Sequence, residues 1–207
     1  MIGVIDSGLG NVASVRNMLK SIGVDAISIT AANDLPRASK LILPGIGAFN
    51  EGVKRLQELG FHEGIRRQNQ QREVPLLGIC LGMQLLLEGS EEGEGEGLGL
   101  IPGMVRKFRF DQLDHRLPVP NMGWRGVRWV ASLGKQADSG LHERDRFYFV
   151  HSYHAEPADP RDVLGYATYG YEYCCAVRRG NVTGFQFHPE KSHRFGKQLL
   201  RDWCSDE

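Results

Sequence analysis

The sequence has no excess of either charge: 25 Lys and Arg residues balance 25 Asp and Glu. A polyanion-binding chain carries a basic surplus, so the composition does not point to nucleic acid. No apolar run approaches the roughly 18 residues of a membrane span. The opening Met1-Ile2-Gly3-Val4-Ile5-Asp6 lacks the charged leader and small-residue cleavage site of a secretory signal. There are only four cysteines, Cys80, Cys174, Cys175 and Cys204, none in C-x-x-C spacing, and the adjacent pair suits a single metal ion poorly. Reduced thiols in the cytoplasm, with no metal and no membrane contact, are the expectation. No repeat of about 20–50 residues and no P-loop is present. What remains is ordinary globular composition, 41% hydrophobic and 24% charged over 207 residues, enough to bury a full core in a single domain spanning 1–207.

The first half alternates. Gly3 to Asp6, Val24 to Thr30, Leu41-Ile42-Leu43 and Pro75 to Ile79 read as strands. Val12 to Ile22, closed by Gly23, a polar stretch from Glu51 to Gln71, and Leu81 to Glu88 read as helices. This pattern predicts an α/β fold with a mixed, mostly parallel sheet flanked by helices. In the second half, the Gly-Glu run from Glu91 to Gly97 reads as a solvated loop. Short strand-like runs follow at Met104–Phe110, Gly126–Val130, Arg146–Val150, Cys174–Arg178 and Thr183–Phe187, and an amphipathic helix at Phe195–Cys204.

Three segments carry chemistry. Gly78-Ile79-Cys80-Leu81-Gly82 sets a cysteine between a buried strand and a helix, the pattern of a nucleophile elbow. The flanking glycines permit a tight turn, and the helix N-terminus favours negative charge on the sulfur. The alternative is a small buried hydrophobe. A thiol nucleophile needs a proton acceptor, and the acceptor needs an orienting group. His188-Pro189-Glu190 supplies both if the chain there is extended, because residues two apart then share a side. Leu43-Pro44-Gly45-Ile46-Gly47 ends a strand in a Gly-rich turn at the sheet edge where α/β proteins place ligands. Backbone N–H groups near Ile46 there could hold an oxyanion, although a plain strand-to-helix turn fits the same residues. His151, His154 and His193 read as structural or rim histidines, and Phe147, Tyr148 and Phe149 as strand core. Trp124 and Trp129 are informative only by exposure, since an exposed tryptophan marks an interface.

Taken in order, Pro44-Gly45-Ile46-Gly47, Gly78-Ile79-Cys80-Leu81-Gly82-Met83-Gln84 and His188-Pro189-Glu190 resemble the class I, triad-type glutamine amidotransferases. Gly8-Leu9-Gly10-Asn11, Pro120-Asn121-Met122-Gly123-Trp124, Phe147 to Tyr153 and Gln186 to Ser192 extend the resemblance to the glutaminase subunits of imidazole glycerol phosphate synthase. The resemblance implies a flavodoxin-like fold and hydrolysis of glutamine to glutamate and ammonia without a cofactor. It implies Cys80 as nucleophile through a γ-glutamyl thioester, His188 as proton shuttle, Glu190 as its orienting group, and Ile46, Gly47 and Leu81 around the oxyanion. Gly45, Gln84, Glu92, Ser152 and Tyr153 fall where relatives hold glutamine. Asn11, Trp124 and Lys191 fall where they face a (β/α)8-barrel cyclase subunit, HisF, in a heterodimer. That partner receives the ammonia and makes imidazole glycerol phosphate and AICAR in histidine biosynthesis. No sequence for a fused synthase follows the last helix, so the acceptor site is expected on another polypeptide. Ser7 stands where many relatives carry an aromatic residue, and Asn121 where His is common; both lie in segments expected near the partner. Three other readings stay open: a glutaminase subunit serving a different synthase, another thiol hydrolase such as a cysteine peptidase, and a non-catalytic interaction subunit.

Overall fold

A computed structural model describes residues 1–72, 74–111, 117–130 and 145–206. The chain opens with β1 (Ile2–Ile5), α1 (Val12–Ser21) and β2 (Ala26–Ile29), and continues through β3 (Lys40–Gly45), α2 (Phe49–Glu58), α3 (Phe61–Arg72) and β4 (Leu76–Cys80). A single turn, α4 (Leu81–Gln84), follows. Then come β5 (Gly89–Ser90), β6 (Gly103–Lys107), β7 (Asn121–Gly126), β8 (Arg128–Trp129), β9 (Arg146–His151) and β10 (Tyr153–Pro157). The chain closes with β11 (Val163–Tyr169), β12 (Tyr171–Arg179), β13 (Val182–Phe185) and α5 (His193–Ser205).

Among the described residues, eleven strands form one sheet whose main path is β2-β1-β3-β4-β13-β12-β10-β6-β5. The first five are parallel to one another. β12, β10 and β6 then join antiparallel, so the sheet is mixed as expected. β3 shows why both faces are covered. Leu41 and Leu43 face the cluster containing Phe49, Val53 and Leu56 of α2, whereas Ile42 faces the cluster containing Val15 and Leu19 of α1 and Leu199 and Trp203 of α5. An apolar residue at every position is what a strand buried on two sides requires. β7 and β9 form a separate antiparallel pair over the α1/α5 side. Phe147 and Phe149 of that pair meet the Phe187 ring at centroid distances of 4.2 and 5.3 Å.

Four local expectations are corrected. The polar stretch from Glu51 to Gln71 is two helices, because Gly60 takes φ +70° and its N–H turns back to the Gln57 carbonyl. The helix after Cys80 ends at Gln84 instead of Glu88. There the carbonyls of Leu85, Leu86 and Leu87 accept N–H groups from Leu98, Leu100 and Gly99, which no helix interior would allow. The Gly-Glu run is not a free solvated loop: a Cβ on Gly93 would lie within 2.3 Å of three Asn50 side-chain atoms, and one on Gly97 would lie 2.0 Å from the Leu87 carbonyl oxygen. Its glycines pack inward while Glu94 and Glu96 stay in solvent. Finally, β7, β10 and β11 form where the sequence shows little strand-like alternation, and the expected strand from Gly126 to Val130 is only the two-residue β8.

The tightest approach in the site half of the sheet involves Gly82, where a Cβ would sit 1.8 Å from the Leu43 carbonyl oxygen. Gly82→Ala is therefore expected to cost about 3 kcal/mol or more, read from the denaturant midpoint. Gly60→Ala meets nothing nearer than 3.6 Å and should cost only the left-handed backbone term, about 1 kcal/mol. Equal costs for the two would show that the β3–α4 contact is not as tight as described.

Candidate active site

Cys80 is the last residue of β4 and caps α4 with φ 55° and ψ −110°. A non-glycine residue there carries strain of roughly 1–3 kcal/mol, held by its surroundings. Those surroundings are identifiable. Cys80 pairs in register with Gly45 of β3, and a Cβ on Gly78 would lie 2.6 Å from the Gly82 carbonyl oxygen. The elbow forms because three glycines let β3, β4 and α4 approach this closely. The sulfur sits 4.0 Å from the Val150 carbonyl oxygen and receives the Gln186 Nε2 donor at 3.9 Å.

His188 arrives from the other end of the chain. β13 runs parallel to β4 and stops at Phe185; beyond it the His188 N–H donates to the Tyr148 carbonyl at 2.9 Å, tying the segment to β9. Ser192 locks the same junction, donating to the His188 carbonyl at 2.6 Å and accepting the Tyr148 N–H at 3.0 Å. His188 and Glu190 do meet, with Nδ1 and Oε1 2.7 Å apart, but not through extended chain. Pro189–Lys191 is a 3-10 turn, and the turn folds the carboxylate back under the ring. Both side chains are almost wholly buried, at 2% and 3% exposure.

Burial alone would depress the His188 pKa. Hydrogen bonding and charge from Cys80 and Glu190 outweigh it and push the value up to about 9. The imidazole is therefore charged near neutrality when a thiolate faces it. Among the described residues the buried Nε2 has no hydrogen-bond partner, and Cys80 is the group outside the Glu190 pair that raises the His188 pKa. A thiol, an imidazole and a carboxylate in this relation can perform nucleophilic acyl transfer.

Cys80 and His188 line one cavity of about 240 Å³, together with Ile46, Gly47, Leu81, Gln84, Glu92, Ser152 and Tyr153. Glu92 reaches it from the Gly-Glu run, its Oε2 accepting the Phe49 N–H at the start of α2 at 2.7 Å. Gly45 does not line the cavity; it lies behind it, against Leu81 and Gly82. The Ile46 N–H does not face the cavity either, because it donates to the Leu9 carbonyl at 2.6 Å.

The chain matches the family described as Glutamine amidotransferase class-I over residues 3–206. The chain belongs to the class I glutamine amidotransferases. It is 47% identical to imidazole glycerol phosphate synthase subunit HisH 2 of Pseudomonas aeruginosa and 43% identical to that of Methanococcus maripaludis, in each case over 98% of both chains. A chain in the structure of PurLQS from Thermotoga maritima superposes with TM-score 0.75 over 98% of this chain and 96% of that one. At 17% identity that likeness concerns the fold.

The three residues expected to face a partner lie outside the amidotransferase cavity. Asn11 is exposed and caps α1, accepting the Ser14 N–H at 3.0 Å. Lys191 is exposed, with Nζ 6.0 Å from the centroid of the Tyr148 ring. Trp124 is 44% exposed and stacks flat on His193, whereas Trp129 packs edge-on against Phe147, Phe185 and Phe187. Ser7, the first departure from the relatives, is buried, and its carbonyl accepts from Arg55 Nε. Asn121, the second, is completely buried and donates through Nδ2 to His151 Nε2 and to the Tyr173 hydroxyl. His151 is the structural histidine anticipated, but it also forms part of the cavity wall. Its Nδ1 lies 2.7 Å from the Tyr153 carbonyl, which can only accept, so Nδ1 carries the proton. Ser192 and Gln186 belong to the matching end segment but carry no site role in the sequence reading; Ser192 joins His188 to Tyr148, and Gln186 joins Gln84 to Cys80.

The two histidines carry opposite pH signatures. Burial holds the His151 pKa down to about 3, from an ordinary 6.5, so its contribution to stability is complete above 6.5 and is lost as the pH falls toward 3. The contribution of His188 is complete below 6.5 and is lost as the pH rises through about 9. Imidazole NMR is expected to show His188 titrating near 9, with the midpoint falling in Glu190→Gln, and His151 silent across the neutral range. A neutral-range midpoint for His151 would contradict its burial among Asn121, Tyr173 and Phe108.

Proposed function

We propose that this amidotransferase is the glutaminase subunit of imidazole glycerol phosphate synthase, and that Cys80, His188 and Glu190 are its triad. The observation that carries the reading is the meeting of Cys80 and His188 in one cavity over a buried His188–Glu190 pair. The Cys80 thiolate attacks the side-chain amide carbon of glutamine. The imidazolium of His188 gives its proton to the departing ammonia, leaving a γ-glutamyl thioester. His188, now neutral, takes a proton from water, which attacks the thioester carbonyl and releases glutamate. Glu190 fixes the imidazole with Nδ1 protonated and Nε2 toward the reacting atoms. Glu92, Gln84 and the Ser152–Tyr153 backbone surround the space for the amino-acid end of the substrate.

The oxyanion requires N–H groups aimed at it. Leu81 and Gly47 line the cavity, while the Ile46 N–H is engaged by Leu9. Turning the Ile46 peptide inward would release that bond, and Gly47, at φ +99° with nothing within 4 Å of its Cβ position, has room to allow it. The free subunit is thus a slow glutaminase awaiting a rearrangement of the strand end. Ile46, Val119, Met122 and Trp124 form exposed apolar surface, at 50%, 43%, 58% and 44% exposure, and Ile46 itself reaches the cavity. Partner docking on this rim supplies the energy for the change. The partner is the (β/α)8-barrel cyclase HisF, which takes the ammonia and makes imidazole glycerol phosphate and AICAR. Enclosure between the two sites keeps ammonia neutral, since in water at pH 7 it is mostly the non-nucleophilic ammonium ion.

Glutamine hydrolysis is expected to be slow alone and to rise with the cyclase and its nucleotide. Cys80→Ala should abolish it while binding the cyclase normally, and Glu190→Gln should lower kcat by about a hundredfold. Trp124→Ala should weaken cyclase binding by about 2 kcal/mol in a calorimetric titration. Turnover unchanged by cyclase and nucleotide would overturn the histidine-pathway assignment in favour of a different synthase. Hydrolysis retained in Cys80→Ala would overturn the triad.

A further inference from the structure

Gln186 is completely buried in the segment between β13 and His188, and the triad chemistry leaves it without a role. The orientation of its side-chain amide follows from one fixed point. The Tyr153 carbonyl can only accept, so the Gln84 atom 3.2 Å from it is the donor Nε2. That same Nε2 lies 3.1 Å from the Gln186 side chain, so the Gln186 atom facing it is the acceptor Oε1. The other end of the Gln186 amide is then necessarily the donor, and it stands 3.9 Å from the Cys80 sulfur. A backbone carbonyl thus dictates, through two glutamines, that an N–H and not a lone pair faces the nucleophile.

We infer that Gln186 is a further residue of the glutaminase site: its amide N–H stabilises the Cys80 thiolate, and its carbonyl oxygen holds Gln84 with the Gln84 Oε1 left free for the substrate. The inference rests on Cys80 being the nucleophile proposed above, and it adds a second partner for the sulfur besides His188. Three features support it. The donor itself is completely buried, where a single N–H toward a charged sulfur counts for more than it would in solvent. Gln186 is held at its own backbone, its N–H donating to the Cys175 carbonyl at 2.9 Å, so the side chain starts from a fixed base. And among the described residues no further hydrogen-bonding partner competes for either end of the amide: Oε1 is engaged by Gln84 and Nε2 by the sulfur. The relay joins the nucleophile to the substrate-binding wall: Tyr153 carbonyl, Gln84, Gln186, Cys80. Displacement of Gln84 would therefore be felt at the sulfur.

The test reads the sulfur directly rather than turnover. Cys80 is alkylated with iodoacetamide at pH 7 in the whole chain, and the rate is followed by peptide mass spectrometry; the thiolate displaces iodide, so the rate follows thiolate availability. Cys204, partly exposed and remote from the relay, serves as the internal control. Gln186→Met keeps the volume but loses the donor, and should slow alkylation of Cys80 about tenfold with Cys204 unchanged, as for the loss of one hydrogen bond to a charged group. Gln186→Glu still accepts from Gln84 but places a carboxylate beside the sulfur, and should slow Cys80 further. Cys80 rates equal to wild type in both variants would overturn the inference. Should Gln186→Met loosen the fold, seen as faster alkylation of Cys204, the isosteric Gln186→Glu decides: a wild-type Cys80 rate there also overturns it. The readout is independent of whether the wild-type chain hydrolyses glutamine, so failure of this inference and failure of the glutaminase reading are separate results.

Discussion

The site depends on one strained residue. Cys80 holds a positive φ at the end of a buried strand, and that conformation lifts its sulfur out of the sheet edge into the cavity instead of into the core. The strain is stable because the neighbours cannot give way. β3 and β13 flank β4 on both sides, and the backbone of Gly82 lies directly on the Leu43 carbonyl. The same closeness that strains Cys80 packs Leu81 against Gly45 beside it.

The second half of the chain is built to deliver an imidazole to that sulfur. β13 lies beside β4, so the segment following it passes the elbow at a distance set by strand spacing. Ser192, the Tyr148 backbone and the stacked rings of Phe147 and Phe187 then fix where His188 stops. Tyr148 also packs against Trp124, whose ring is 44% exposed. The strand that carries the exposed Trp124 is therefore in direct contact with the strand whose carbonyl holds His188 in place. On the proposed reading, a partner that moves β7 would act on His188 through that contact. The Ile46–Leu9 hydrogen bond is a second such connection, since Ile46 is both exposed and part of the cavity lining.

How much of this the sequence discloses follows from how local each feature is. The elbow is legible because Gly78, Cys80 and Gly82 fall within five residues and their spacing has one steric explanation. The His188–Glu190 pair is legible as a pair, yet the extended chain inferred for it is a 3-10 turn, since Pro189 suits the start of that turn as well as it ends a strand. The helix after Cys80 is shorter than its sequence suggests, because Leu85-Leu86-Leu87 fits a buried helix and a buried irregular segment equally; the deciding partners, Leu98 to Leu100, lie further along the chain. The Gln84–Gln186 contact and the Asn121–His151 contact join residues from distant segments, and nothing in either segment alone signals the other. Asn121, a departure from its relatives in sequence, turns out to be the donor that a neutral His151 needs.

The central claim is that the Cys80 sulfur attacks glutamine within reach of His188. It is tested most directly by acid-quenching the enzyme during turnover with glutamine in the presence of the cyclase, and mapping any covalent adduct by peptide mass spectrometry. The account predicts one glutamyl group on the peptide containing Cys80, and none in a His188 variant, which cannot protonate the departing ammonia. A glutamyl group on any other residue, or wild-type turnover with Cys80 never modified, would contradict it.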